Sequence, residues 1–282
     1  MTMLPLVFHI YSRNIDMMKL RLKLYSLLMS VVMTISYSVI SVAEDVKTGA
    51  DIIERAELNS SGFKDMTNTV SMTLVDKEGA ISEREMIVKG ISLGDGQAKT
   101  LTVFTKPARE KGTALLTHTH KSGPDEQWLY LPASKRVKKV ASSNVGASFR
   151  GSQFTFEDIT TQRRENYRFD LVATEKCGDK LCFVVDRTPQ FDGSSYSRTR
   201  LYIDTEYFLI QKSDFFDLNK QLLKTMTATN YTKHENGVWR PELLVMENRQ
   251  SKEKTELRTL KLQFDVGLKE KDFSKLSLRK IR

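Results

Sequence analysis

The chain has 282 residues, a length that allows one large or two small globular domains. Its 44 Lys and Arg residues outnumber its 35 Asp and Glu residues, which gives a formal net charge of +9. Nucleic-acid-binding proteins concentrate such an excess in a basic stripe, which this sequence lacks. We therefore interpret the charge as solvated surface and expect no nucleic-acid partner.

The N-terminus has the pattern of a secretory signal peptide, which we predict at residues 1–43. Lys19, Arg21 and Lys23 precede an uncharged stretch at 24–42, and small residues at 41–43 suit a signal peptidase. The alternative is a membrane anchor, because such a stretch could span a bilayer, although its many hydroxyl groups weaken that hypothesis. Residues 1–16 do not resemble an n-region, and we interpret them as an over-extended start. We expect residues 44–282 to form one exported domain.

The first predicted element of this domain is an amphipathic helix at 44–60. Val46, Ala50 and Ile53 recur at three- and four-residue spacing, which places them on one helical face. Thr48 followed by Asp51 is typical of a capped helix start. The apolar face must pack against another element, and the remainder of the chain is predicted to be almost entirely strand.

Alternating apolar residues predict about eleven antiparallel strands after the helix. Val70, Met72 and Leu74 share one face of the first strand, and Met86 and Val88 share one face of the second. The connections are too short for parallel crossovers. Besides short runs near 128–131, 167–171 and 183–185, the predicted strands span residues 69–75, 81–91, 99–105, 112–118, 197–204, 208–215, 221–231, 239–248 and 255–264.

The strand number predicts a single α+β domain with the architecture of an incomplete, half-closed β-barrel. A long sheet curls, and its inward face must be covered. We expect the N-terminal helix and a central loop, with a short helix at 154–162, to act as a lid. The enclosed face would then form an apolar cavity for a hydrophobic ligand.

The two cysteines, Cys177 and Cys182, flank a short Gly-Asp-Lys-Leu loop between two predicted strands. In an exported protein this spacing predicts a disulfide across a hairpin. A redox motif is disfavoured because four residues separate the cysteines. Likewise, His118 and His120 lack an evident third ligand, so we predict no metal site and no cofactor.

The most informative stretch is residues 125–158, which combines aromatic, basic and small residues. Trp128 and Tyr130 lie two apart on a predicted strand, where they either pack in the core or line the cavity. Phe149, Phe154 and Phe156 follow in a Gly- and Ser-rich loop, as a candidate mobile lid or as residues that seal one barrel end. Candidate contacts to lipid headgroups or to an acidic partner are Arg136, Lys138 and Arg150; a solvated hairpin is the alternative for the basic run.

Two phrases in this stretch, W-L-Y-L-P-A at 128–133 and S-F-R-G-S-Q-F-T-F-E-D at 148–158, carry a resemblance. The sequence resembles the outer-membrane lipoprotein-sorting-like proteins, relatives of the periplasmic lipoprotein carrier LolA and its outer-membrane receptor LolB. The resemblance implies a half-barrel with helical lids, a periplasmic location in a Gram-negative envelope, and a lipid or lipoprotein ligand. It also implies an RND-type inner-membrane exporter as partner.

The resulting hypothesis is a monomeric periplasmic carrier that moves a lipid, lipoprotein acyl chains or another hydrophobic molecule between the membranes. One alternative is an exporter adaptor that carries nothing, with a filled interior and an exposed aromatic loop at 142–156. A second alternative is an envelope-lipid hydrolase that uses Ser148 or Asp158. No nucleophile elbow, metalloprotease motif, phosphate loop or dinucleotide fingerprint occurs in the sequence, so we expect no enzyme.

Overall fold

The computed structural model describes residues 48–141, 144–161 and 163–281, which form a mostly-β fold with few helices. The predicted signal peptide and residues 44–47 of the predicted first helix lie outside these residues. Helix α1 (Gly49–Ser60) has the expected capping box: Thr48 Oγ1 accepts from Asp51 N, and the Asp51 carboxylate accepts from Thr48 N. These bonds satisfy backbone groups that the first helical turn leaves without partners.

A single antiparallel sheet of thirteen strands, rather than the expected eleven, follows the helix. One additional strand comes from the basic run at 135–139, where Val137 pairs opposite Tyr130. The strands are β1 (Asp65–Val75), β2 (Ile81–Gly94), β3 (Gln97–Lys106), β4 (Ala114–Thr119), β5 (Glu126–Leu131), β6 (Arg136–Lys139), β7 (Tyr167–Cys177), β8 (Lys180–Pro189), β9 (Arg198–Asp204), β10 (Ile210–Phe216), β11 (Leu222–Lys233), β12 (Trp239–Asn248) and β13 (Lys254–Phe264).

The first and last strands pair in the middle of the sheet. Its order is β6-β5-β4-β3-β2-β1-β13-β12-β11-β10-β9-β8-β7, so the two edges are β6 and β7 and the described strands do not close into a ring. These edge strands are consecutive in the chain. The segment between them must therefore cross from one edge of the sheet to the other.

Alternation along the strands produces two buried faces. The inner face includes Met72, Phe104 and Leu115, and the outer face includes Leu116 and Trp128. Helix α1 packs near β7, where Gly49 is required: a Cβ at this residue would lie 2.9 Å from Phe169 O. The outer face is covered by a C-terminal segment that contains a 3-10 turn (Glu270–Phe273) and the short helix α2 (Lys275–Leu278).

The predicted disulfide between Cys177 and Cys182 is present across the β7–β8 hairpin. Its six-residue ring encloses the tight turn between those strands. Within the ranges that the structure describes, no helix has both the length and the apolar character needed to cross a membrane.

Candidate functional site

The segment that joins β6 to β7 covers part of the inner face, and we call its described residues 144–161 the cover loop. Backbone hydrogen bonds make it compact: Phe149 N donates to Phe154 O over 2.8 Å, and Glu157 N donates to Val145 O over 2.7 Å. The predicted short helix at 154–162 is wrong for residues 154–161, which form turns. Thr155 and Asp158 exchange side-chain and backbone hydrogen bonds like those of a helix start, but they close a turn instead.

Three phenylalanines of the cover loop are buried against the sheet. Phe149 and Phe156 join the cluster that contains Met72 and Phe104, and the Phe149 ring centroid lies 5.7 Å from each of the Phe104 and Phe156 centroids. Phe154 packs separately, in a cluster with Tyr196 and Phe215. Each of the three is less than 10% exposed. The loop is therefore inserted into the inner face rather than held above it.

A buried ion pair fixes the cover loop to β11. Lys224 Nζ lies 2.6 Å from Asp158 Oδ2 and donates to Gln153 O over 2.9 Å, and the Lys224 and Asp158 side chains are at least 95% buried. The Tyr196 hydroxyl donates to Asp158 Oδ1 over 2.9 Å. Burial lowers the pKa of Lys224, and the neighbouring Asp158 carboxylate opposes that shift.

Further polar contacts hold the middle of the loop. Gln153 accepts from Asn248 Nδ2 and donates to the Glu253 carboxylate, so it connects the loop to the β12–β13 turn. Arg150 forms a bidentate pair with Glu110, with its Nη2 2.7 Å from Oε2. Buried charges need such partners, because each desolvated charge without one is costly. The polar residues of the loop thus specify its position.

An apolar hollow of about 200 Å³ remains between the cover loop and the central strands. It lies beside the packed contacts of Phe149 and extends over the strands β3, β2, β1, β13 and β12. Its apolar lining consists of Val70, Met72, Met86, Val88, Phe149, Phe154, Ile159, Pro241, Leu244 and Leu257. Glu242, Asn68 and three threonines supply its polar lining. This hollow is where the inner face can accept an apolar group.

A second space of about 250 Å³ lies beneath α1. Ile53 and Ala56 of the helix face Phe169, Leu201 and other side chains of β7 to β12 across it. Arg240 also lines it, and burial lowers the pKa of this guanidinium. Its Nη1 donates to Ser60 O at the helix end over 2.7 Å. The helix and the cover loop therefore both leave unfilled volume against the sheet.

The structure separates the aromatic residues that the sequence analysis groups as one site. Trp128 and Tyr130 lie on the outer face, in a cluster with Phe273 and Leu278 of the C-terminal segment. The neighbouring Leu129 points to the inner face instead. Trp128 and Tyr130 therefore do not share a surface with Phe149, Phe154 and Phe156.

The three basic candidates are also dispersed. Arg136 and Lys138 are exposed on the edge strand β6, where they remain available for a partner. Arg150 is engaged by Glu110, and its backbone carbonyl accepts from Arg84. The role of all three in headgroup or partner contact stays a prediction.

Sequence reasoning missed the residues that anchor the loop, above all Lys224 and Glu110. The available signal was a lysine at an inward position of β11, where Met226 and Ala228 follow at intervals of two. Its partner Asp158 is 66 residues away in the chain. Among the described residues, no group of three or more His, Cys, Asp or Glu side chains is arranged to hold a metal ion.

Comparisons with known proteins agree with this architecture. A family model described as "Uncharacterized protein" matches residues 96–280. A solved domain from Vibrio parahaemolyticus, named for outer membrane lipoprotein sorting, is 36% identical with a TM-score of 0.79, over 82% of this chain and 98% of that one. No curated protein matches the sequence.

Two more distant solved structures share the fold. A DUF1329 family protein from Desulfovibrio piger is 24% identical with a TM-score of 0.77, over 82% of this chain and 97% of that one. A LolA superfamily protein from Nitrosomonas europaea is 21% identical with a TM-score of 0.67, over 82% and 99%. These likenesses extend over nearly the whole length of both relatives.

Proposed function

Because the chain belongs to the family of outer-membrane lipoprotein-sorting-like proteins, we propose that it is a carrier for a hydrophobic ligand in the periplasm. The ligand class is a lipid, the acyl chains of a lipoprotein or a similar apolar molecule. The inner face of the sheet would shield it from water during transfer between the inner and outer membranes. A cleaved leader at residues 1–43 would deliver the protein to that compartment.

The observation that carries this proposal is the apolar hollow of about 200 Å³ beneath the cover loop. Burying a methylene group stabilises a complex by about 0.8 kcal/mol. If each methylene occupies roughly the 30 Å³ of a water molecule, the hollow takes on the order of half a dozen. A longer chain requires more room, which displacement of Phe149 and Phe154 would supply, since both residues form its wall.

The remaining parts of the proposal rest on family resemblance. An RND-type exporter would load or unload the ligand, and the exposed Arg136 and Lys138 of the edge strand β6 are its candidate contacts. The protein would act as a monomer and without catalytic turnover. The adaptor hypothesis expects an exposed aromatic loop, whereas Phe149, Phe154 and Phe156 are buried, so we favour the carrier.

The test is native mass spectrometry of the mature protein purified from periplasm, combined with lipid extraction. A stoichiometric acyl species would support the carrier and identify its ligand class. Uptake of a fluorescent fatty acid by Val88→Phe, which narrows the hollow, should be at least tenfold weaker than for the unaltered protein. The control is Ile87→Phe, because Ile87 is the neighbour of Val88 on β2 and faces the opposite side.

Of two contrary results, one would exclude the carrier and the other would exclude the apolar hollow as its binding site. The first is a protein without any bound species that also fails to take up the fatty acid. The second is equal uptake by the Val88 and Ile87 variants, which would place the binding elsewhere. Thermal unfolding of both variants checks that the added ring has not disrupted the sheet.

A further inference from the structure

A larger and more polar cavity, of about 360 Å³, lies where the two ends of the sheet approach each other. We call it the seam cavity and define it by Asp125, Glu157, Arg163, Tyr167, Phe191 and Asp192. These residues come from the β4–β5 connection, the cover loop, residues 163–167 that lead into β7, and the β8–β9 connection. It shares no lining residue with the apolar hollow, so the carrier function does not account for it.

The charged side chains of the seam cavity favour a cation. Three carboxyl groups, on Asp125, Glu157 and Asp192, line the cavity. The Arg187 guanidinium attracts Glu157 from beside Tyr167, and the lining itself contains one guanidinium, that of Arg163. This guanidinium is already committed, because it donates to His120 O over 2.7 Å and to Gly123 O over 2.5 Å. The ammonium group of a ligand would offset the remaining negative charge.

Two buried polar atoms of the lining residues have no hydrogen-bond partner among the described residues. One is the acceptor Asp125 Oδ1, which lies 3.7 Å from Arg163 Nη2, and the other is the donor Arg163 Nε. The Arg163 side chain is only 6% exposed. Buried polar atoms are normally satisfied. A ligand that satisfies both atoms must carry a donor and, a few bonds away, an acceptor oxygen.

Burial acts on the two inner carboxyl groups in the same direction. It raises the pKa of Asp125, against the opposing effect of Arg163. It also raises the pKa of Glu157, although Ser194 Oγ and Ser195 N donate to that carboxylate over 2.6 and 3.0 Å. Both sites therefore hold their negative charge at a cost that a bound cation would reduce.

The aromatic residues at the entrance match the same ligand chemistry. Tyr167 and Phe191 pack edge to face with ring centroids 5.6 Å apart. The Arg187 guanidinium lies 4.9 Å from the Tyr167 centroid, so this ring already attracts a cation. Phe191 and Asp192 are exposed beside each other. Ammonium groups are recognised over the face of an aromatic ring, and Asp192 supplies a carboxylate next in the chain to the Phe191 ring.

We propose that the seam cavity binds an organic ammonium group with an oxygen acceptor close by, as in an aminoethyl phosphate. Asp125 and Asp192 would receive the ammonium, and Arg163 would donate to the oxygen. The same chemistry occurs in free phosphoethanolamine and in the headgroup of a lipid that contains it. This site is separate from the apolar hollow, and its occupancy is independent of the carrier proposal.

The test compares two isosteric probes by calorimetric titration of the mature protein. Phosphoethanolamine should bind with one-to-one stoichiometry. Propyl phosphate, in which a methyl group replaces the ammonium group, should bind at least tenfold more weakly. Asp125→Asn should reduce the affinity for phosphoethanolamine at least tenfold. Asp192→Asn should reduce it severalfold, and this exposed position does not endanger folding. Asp95→Asn is the control, because Asp95 is an exposed carboxylate on the β2–β3 turn, paired with Lys121.

Dihexanoyl phosphatidylethanolamine, used below its micelle concentration, distinguishes the two sources. If the protein binds this lipid more tightly than phosphoethanolamine and Asp125→Asn abolishes that binding, the natural ligand is the lipid headgroup. If the lipid and phosphoethanolamine bind equally, the natural ligand is the free amine. Any of three results would overturn the proposal: equal binding of phosphoethanolamine and propyl phosphate, no binding of any probe, or no effect of either Asp variant on the affinity. Fatty-acid uptake by Asp125→Asn should be unchanged, which separates this result from the test of the apolar hollow.

Discussion

The two faces of strands β3 to β5 are covered by segments that are held in different ways. On the inner face the cover loop inserts Phe149 and Phe156, and on the outer face the C-terminal segment inserts Phe273 and Leu278. The inner segment is fixed by the buried pair of Asp158 and Lys224. The outer segment relies on apolar packing, on a half-buried hydrogen bond between His118 Nε2 and Phe273 O (2.7 Å), and on contacts at its exposed rim, such as the pair of Lys99 and Glu270.

This difference shows which segment the fold positions most strictly. Apolar contacts tolerate small shifts, whereas a desolvated ion pair is favourable only when its geometry is maintained. The cover loop is therefore held at one place, and the apolar hollow persists beside it. The described residues of the outer segment form no buried ion pair, and this segment packs over Trp128 and Tyr130. We infer that the inner cover serves the ligand site and that the outer cover serves stability.

The largest difference in the free energy of unfolding should appear between two variants, one that replaces a lysine at the inner cover and one that replaces a lysine at the outer cover. Lys224→Met leaves the Asp158 carboxylate buried without its cation, and the free energy of unfolding should fall by about 3–5 kcal/mol. Lys275→Met removes an exposed ammonium 4.5 Å from the Trp128 ring centroid, and the loss should be only about 0.5–1 kcal/mol. Urea denaturation of both variants measures this. A similar loss of stability in the two variants would mean that the buried ion pair does not hold the inner cover more strictly than the outer one.

Truncating one phenylalanine on each side separates stability from ligand binding. Phe149→Ala and Phe273→Ala should each lower the free energy of unfolding by about 3–5 kcal/mol, because both rings are about 98% buried. Only Phe149→Ala alters the wall of the apolar hollow. It alone should change the affinity for a fluorescent fatty acid, measured at a temperature where both variants are folded. A comparable change in Phe273→Ala would contradict the assignment of the inner face as the ligand site.

The smallest expected effect is an opposite pH dependence of two glutamates. Burial raises the pKa of Glu157, so the folded state binds more protons and stability falls as the pH rises from about 4.5 through the raised pKa. The hydrogen bond from Lys99 lowers the pKa of Glu270, so its stabilisation is present above about 4.5 and is lost as the pH falls through the lowered pKa.

Denaturation midpoints measured between pH 3 and 7 test this pair of signs. Glu157→Gln should remove a decline in stability on the alkaline side of about pH 4.5, and Glu270→Gln should remove a loss of stability on the acidic side. If both substitutions changed the pH profile in the same direction, the opposite environments of the two carboxylates would be refuted.

Alternation in the sequence predicted most of the sheet but could not say which face of a strand is the inner one. For β1 the choice was clear, because Val70 and Met72 alternate with polar residues. For β5 the choice of the inner face was not clear, because Trp128, Leu129 and Tyr130 are all apolar. Both faces of β5 are buried, one by the cover loop and one by the C-terminal segment. Both alternatives for Trp128 and Tyr130, core packing and cavity lining, assumed a single buried face.

The predicted helix at 154–162 failed for a related reason. Thr155 and Asp158 have the spacing of a capping box and make its reciprocal hydrogen bonds. A helix also requires the next residues to continue the pattern. Here Asp158 is held by Lys224 and Tyr196 from other parts of the chain, so its carboxylate serves a tertiary network.

Local sequence patterns are sufficient for the features that depend on neighbours in the chain. The capped start of α1, the hairpin connections and the disulfide between Cys177 and Cys182 each need only short-range spacing. The pairing of β1 with β13, the separation of Trp128 from Phe149 and the contact of Asp158 with Lys224 were decided by tertiary structure. All three features depend on burial and charge contributed by segments that are distant in the chain, and no local pattern encodes such contributions.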